Sequence, residues 1–220
     1  MINHMSYPER DEVELLNRVK LTSATLRASL PHELGMGAPG TVETIEFKAS
    51  LFREFLMDRL CDSVDGAVLL CEAGQLMSAL LLTHAALATT VMLHWFGQET
   101  AEYGRTRDST RLESLLMRGS VWRGGDTALD QACDVFLVLN LLDKEARGFK
   151  QMADVLFEFT DMNYAAAVSR FGHIDRKNKV IHLVEKQKAL PCQVVGTLLR
   201  DCLMLAKRCY ADISRERRKT

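Results

Sequence analysis

The chain has 220 residues, 47% apolar but only 7% aromatic, with four prolines and a formal charge of −1 at pH 7. That length supports a real core in one domain, and a composition rich in Leu, Ala and Met argues against the short, turn-rich strands of a sandwich or barrel. The prediction is a single all-α domain over residues 1–220, a multi-helix bundle of about six to seven helices with little or no sheet.

In chain order, Ser6-Tyr-Pro-Glu9 reads as a capping box, opening a first helix from Pro8 to Ser29 through Val13, Leu16, Val19 and Leu26. Residues 31–40, with Gly35, Gly37, Pro39 and Gly40, read as a flexible connector. Phe47, Leu51, Phe55, Leu56, Leu60, Val64, Val68 and Leu69 are read as one face of a second helix ending at Ala73-Gly74. Residues 73–96 carry no Asp, Glu, Lys or Arg and are read as a third helix, returning antiparallel as the buried centre of the bundle rather than crossing a membrane. The flanking Glu72, Glu99 and Glu102 favour that choice.

Gly97 to Asp108 reads as a polar link, and Thr110-Arg-Leu-Glu113 as a capping box for a short fourth helix to Arg118. A turn around Trp122 follows, then a fifth helix capped by Asp126 or Thr127 and passing through Leu129, Cys133, Phe136, Val138 and Leu141. A sixth runs from Met152 to Phe171, interrupted near Thr160 to Asn163. Residues 173–182 read as a charged turn, Pro191 opens the last helix, and 214–220 form a frayed basic tail.

The six cysteines lie in apolar helical stretches without zinc-ligand spacing, which predicts reduced core thiols and no metal. The N-terminal MINHMSYPERDEVE has no apolar run behind a basic start, so a cytoplasmic protein is expected. Charge is uneven. Residues 170–220 hold thirteen Lys/Arg against five Asp/Glu, and the remainder fifteen against twenty-four. Such a basic quarter suits RNA, or packing on the acidic body or a second subunit.

No P-loop, GxGxxG, GxSxG, HExxH or EF-hand pattern occurs, which disfavours nucleotide-hydrolysing, dinucleotide-dependent and common hydrolase chemistry; no cofactor is expected. Two groups of residues remain as candidates. His84 and His94, ten residues apart on the buried helix with Thr83, Thr89 and Thr90 nearby, are read as a ligand pocket inside the bundle or as hydrogen-bonded core groups. Arg176, Asn178 and His182 have the chemistry of metal-independent RNA cleavage: imidazole for proton transfer, guanidinium for phosphorane charge, with Lys177 and Lys179 to attract the backbone.

With five residues between Arg176 and His182, the chain resembles the HEPN superfamily of small helical bundles, in which a late helix carries Arg, a short spacer and His. The residue after the Arg here is Lys177, where the family usually has Asn, Asp or His. The resemblance implies a bacterial toxin, defence or RNA-processing context, and the family includes members that serve only as binding modules. The sequence thus predicts a non-catalytic interaction or scaffold module, homo-oligomeric and with a possible protein partner, in bacterial defence or stress. Its alternatives are a HEPN-like ribonuclease using Arg176 and His182, with RNA on the basic quarter, and a small-molecule sensor.

Overall fold

A computed structural model describes residues 7–35, 44–118, 135–160, 172–183 and 192–217. Among these residues the chain is an all-α bundle of seven helices, joined by one short two-stranded hairpin. The helices are α1 (Tyr7–Ala28), α2 (Ile45–Glu72), α3 (Leu76–Thr106), α4 (Thr110–Arg118), α5 (Val135–Glu145), α6 (Phe149–Thr160) and α7 (Cys192–Arg217). Strands β1 (Gly172–Asp175) and β2 (Val180–Leu183) pair antiparallel. The expected features at Trp122, Asp126, Thr127, Leu129, Cys133 and 161–171 lie outside the described residues, as do 36–43 of the connector.

The α2–α3 hairpin is the centre, as its sequence predicts. Its turn satisfies the backbone groups that a helix end leaves open: Gln75 N–H donates to the Leu70 carbonyl at 2.8 Å and Gly74 N–H to Cys71 at 3.0 Å. Gly74 takes φ +72°, the left-handed position where glycine costs least. The two helices touch closely enough that a Cβ at Gly66 would come within 2.7 Å of a Leu82 methyl.

Three expectations about these helices are corrected. Leu51, Phe55 and Leu69 are 53%, 53% and 61% exposed, because at 3.6 residues per turn they fall on the side of the helix opposite the stripe of Leu56, Leu60, Val64 and Val68. The face that is buried carries Ala49, Leu56, Met57, Leu60 and Val64. Gly97 to Thr106 is helix rather than link, since Glu99 and Thr100 still face inward. Finally, the N-terminus of α4 is served by Asp108, whose Oδ1 accepts from Thr110 N at 3.0 Å and Thr110 Oγ1 at 2.7 Å.

α3 has the length and composition to cross a membrane, but 56% of its most apolar window is buried inside the protein. Its threonines close on their own helix: Thr83, Thr89, Thr90 and Thr100 each donate to the carbonyl four residues back at 2.8–2.9 Å. α1 lies across α2 and α7, burying Leu16, Val19 and Leu26. Its Arg27 bridges Asp58, Asp62 and Asp65 of α2 at 2.7–3.1 Å. α7 fills the remaining side with Leu198, Leu199, Cys202, Leu203 and Ala206. It continues to Arg217, four residues into the tail expected to fray, after Ile213 (3% exposed) and with Ser214 bonded to Arg53, while 218–220 lie outside the described residues.

Candidate functional site

The site forms where the first half of α2, the last turns of α3, α4 and the last turns of α7 meet. Arg53 stands at the middle of the buried face of α2. Leu56, Met57, Leu60 and Val64 follow it by three, four, seven and eleven residues, all at most 3% exposed. That spacing is a helix's apolar stripe, yet here it includes a guanidinium that is 8% exposed.

Its charge is met by the next residue, Glu54, also 8% exposed. Arg53 Nε donates to Glu54 Oε1 at 2.8 Å, and Nη2 donates to the same oxygen. Nη1 donates to Ser214 Oγ at 2.9 Å, and the guanidinium carbon lies 4.5 Å from the centre of the Tyr210 ring. The Tyr210 hydroxyl donates to Glu54 Oε2 at 2.7 Å. Tyr210 and Ser214 are one turn apart on α7, so one helix face supplies both hydroxyls that complete the network. Burial, and then the bond to Glu54, push the Tyr210 phenol up to about 12.

Arg53 forms part of the wall of a narrow cleft of about 40 Å³. Ala49, Leu112 and Ile213, all nearly buried, make its floor, with Thr100 and Gly104 of α3 along one side. Glu46, Tyr103 and Arg107 stand at the rim. The Tyr103 hydroxyl donates to Glu46 Oε1 at 2.5 Å, a bond that lowers the Glu46 carboxyl and raises the Tyr103 phenol. Arg107 caps α3 in the left-handed region (φ 60°), with its guanidinium 5.9 Å from the Tyr103 ring centre. The cleft therefore combines an apolar floor with a buried guanidinium that has given three of its five N–H groups to Glu54 and Ser214.

A larger and more open cleft of about 270 Å³ lies beside it between α3 and α7, lined by His94, Gln98, Cys209 and Asp212, and Ile213 and Thr100 border both. Gln98 Nε2 lies 3.2 Å from His94 Nε2, and Cys209 Sγ 3.8 Å from His94 Nδ1. Burial lowers His94 and pushes the Cys209 thiol up to about 12. His84 does not share this cleft: its ring packs edge-on against Phe157 of α6, centroids 5.4 Å apart. Ten residues of helix leave the two histidines about 80° apart around α3.

No family model, curated protein or solved structure matches this chain.

The Arg176–His182 segment is a β-hairpin, not part of a helix. Arg176, Lys177, Asn178 and Lys179 form its turn, all exposed. Asp175 organises the turn, accepting from the Lys177 and Asn178 N–H groups at 3.0 Å each and from Asn178 Nδ2 at 2.7 Å. These bonds, those from Asn178 foremost, lower the Asp175 carboxyl. Asn178 is thus a turn residue, and Lys179 takes φ 54° to close the loop. His182 is the register partner of His173, while its side chain lies outside the described residues. Arg176 sits in the turn, beyond the last pair, Asp175 with Val180. Among the described residues, no group of three or more His, Cys, Asp or Glu could hold a metal ion.

Sequence reading missed Arg53, Glu54, Tyr103, Arg107 and Tyr210. One signal was available: Arg53 occupies a position that the i, i+3, i+4, i+7 pattern of its own helix marks as buried. The contributions of α7 carry no local signal.

Proposed function

We propose that the protein is a non-catalytic helical binding module whose recognition site is the cleft walled by Arg53. The observation that carries this reading is the Arg53–Glu54 pair, buried on an otherwise apolar helix face. Replacing a buried ion pair by well-packed apolar residues is often neutral or stabilising by about 1–4 kcal/mol, so packing alone gives no reason to keep it there. Recognition of a polar group does give one, because a prearranged guanidinium beside an apolar floor orients a small molecule.

The test is a titration of the ¹⁵N-labelled protein with small organic acids, amides and amines. The amide resonances of Ala49, Thr100, Gly104 and Ile213 are expected to move together. Shifts scattered over the surface, or none with any compound, would sink the reading.

A second reading, a homodimeric interaction surface, is favoured by Leu51 and Phe55, each 53% exposed on the side of α2 away from Arg53. Phe55 stacks on the half-buried Phe52 with centroids 6.4 Å apart, which extends the apolar patch inward. The ribonuclease reading has less support, since Arg176 is exposed in a tight turn and Asn178 is committed to Asp175.

A further inference from the structure

We infer that the cleft takes a small monocarboxylate, its carboxylate on Arg53 and its apolar body against Ala49, Leu112 and Ile213. This rests on the binding-module reading and narrows it to a ligand class. The charged residues lining the cleft are Arg53, Arg107 and Glu46, two cations and one anion. The single anion is occupied: Glu46 accepts the Tyr103 hydroxyl at 2.5 Å. Glu54 outside the lining is held on both oxygens, by Arg53 on one and by Tyr210 on the other. An ammonium group would meet no carboxylate without a partner.

A ligand oxygen meets the opposite situation. Glu54 and Ser214 take three of the five N–H groups of Arg53, so two remain that no described residue receives. Arg53 lines the cleft, and a carboxylate is the acceptor that best matches the planar fork of a guanidinium. With Arg107 at the rim, one negative charge balances the lining. The floor sets the size. Leu112 is 1% and Ile213 3% exposed, so the core closes the floor, and a cleft of about 40 Å³ admits only a short chain. A phosphate would leave most of its acceptors facing Ala49, Leu112 and Ile213.

Thermal denaturation distinguishes the possibilities, with propionate and butyrate compared against propionamide and butyramide and against propylamine and butylamine at matched ionic strength. The carboxylates are expected to raise Tm by about 3–6 °C at about ten times Kd, with little effect from the others. Gly104→Leu supplies the control: a Cβ there meets no heavy atom within 4 Å, and leucine is the better helix former, so the variant fills the cleft without loosening α3. It should melt no lower than the natural chain and lose the response to carboxylate. Arg53→Lys, which keeps the charge and loses the fork, should weaken the response at least tenfold in Kd.

Equal shifts from amides and carboxylates, abolished by Gly104→Leu, would overturn the carboxylate assignment and leave the binding module standing. An undiminished carboxylate response in Gly104→Leu would place binding elsewhere and overturn both. Silence from all six compounds would do the same.

Discussion

Replacing Arg53 by methionine tests whether the buried pair is the structural hinge of the site. The substitution keeps an unbranched side chain of similar length but removes both bonds to Glu54, the 2.9 Å bond to Ser214 and the cation over the Tyr210 ring. Glu54, 8% exposed, then keeps only the Tyr210 hydroxyl. An uncompensated buried charge costs about 3–5 kcal/mol, which for a domain of this size lowers Tm by about 6–20 °C. The double variant Arg53→Met/Glu54→Leu removes both charges and should return to within about 2 kcal/mol of the natural chain, or exceed it. Urea denaturation followed by circular dichroism reads both, and the coupling between the two substitutions is the quantity sought. A loss below about 1 kcal/mol in the single variant would mean that the pair behaves as an exposed one, and the reasoning from burial would fail.

Tyr210 should ionise later than an ordinary phenol. Its folded pKa is raised above the unfolded value near 10, so stability is full below that pH and falls as pH rises from 10 towards 12; phenolate absorbance during titration checks this, and an ordinary transition for Tyr210 would contradict the network. At Gly196 an added Cβ would approach Leu15 and Leu16 side-chain atoms at 3.0–3.2 Å, so Gly196→Leu should cost about 1–3 kcal/mol by pushing α1 off α7. Calorimetry showing no loss would refute that close approach. Leu51→Glu/Phe55→Glu should leave Tm within about 2 °C and abolish any dimer seen by analytical ultracentrifugation. A dimer that survives both charges would move the interface elsewhere.

Helix number, the α2–α3 hairpin with its Gly74 turn, and the burial of the charge-free α3 were all legible, because periodicity, caps and the absence of charge are local properties. The inward face of α2 was misjudged because apolar residues occur on both sides of the helix: Leu51 and Phe55 look like core in a list and lie opposite the buried Leu56, Leu60 and Val64 on the cylinder. The charged turn at 176–179 was legible, but the two short strands that flank it were not. Four residues on each side of that turn are too few for an alternating pattern to announce a strand, and the pairing is closed by the Asx turn at Asp175 and a left-handed Lys179. As for the site, Arg53 was conspicuous by its position, but Tyr210 and Ser214 meet it only through tertiary folding, and no spacing in the chain announces that meeting.

That separation has a consequence during synthesis. Glu54 and Tyr210 are 156 residues apart and Arg53 and Ser214 are 161, so at ribosomal rates α2 waits about 10–30 s for the groups that complete its network. Meanwhile α2 and α3 are already able to pair, with a charged couple on the surface that will become core. The nascent hairpin thus has an open polar seam where the finished bundle has one closed by Tyr210 and Ser214. Such a seam keeps that flank hydrated until α7 arrives, which disfavours its premature union with the wrong apolar helix.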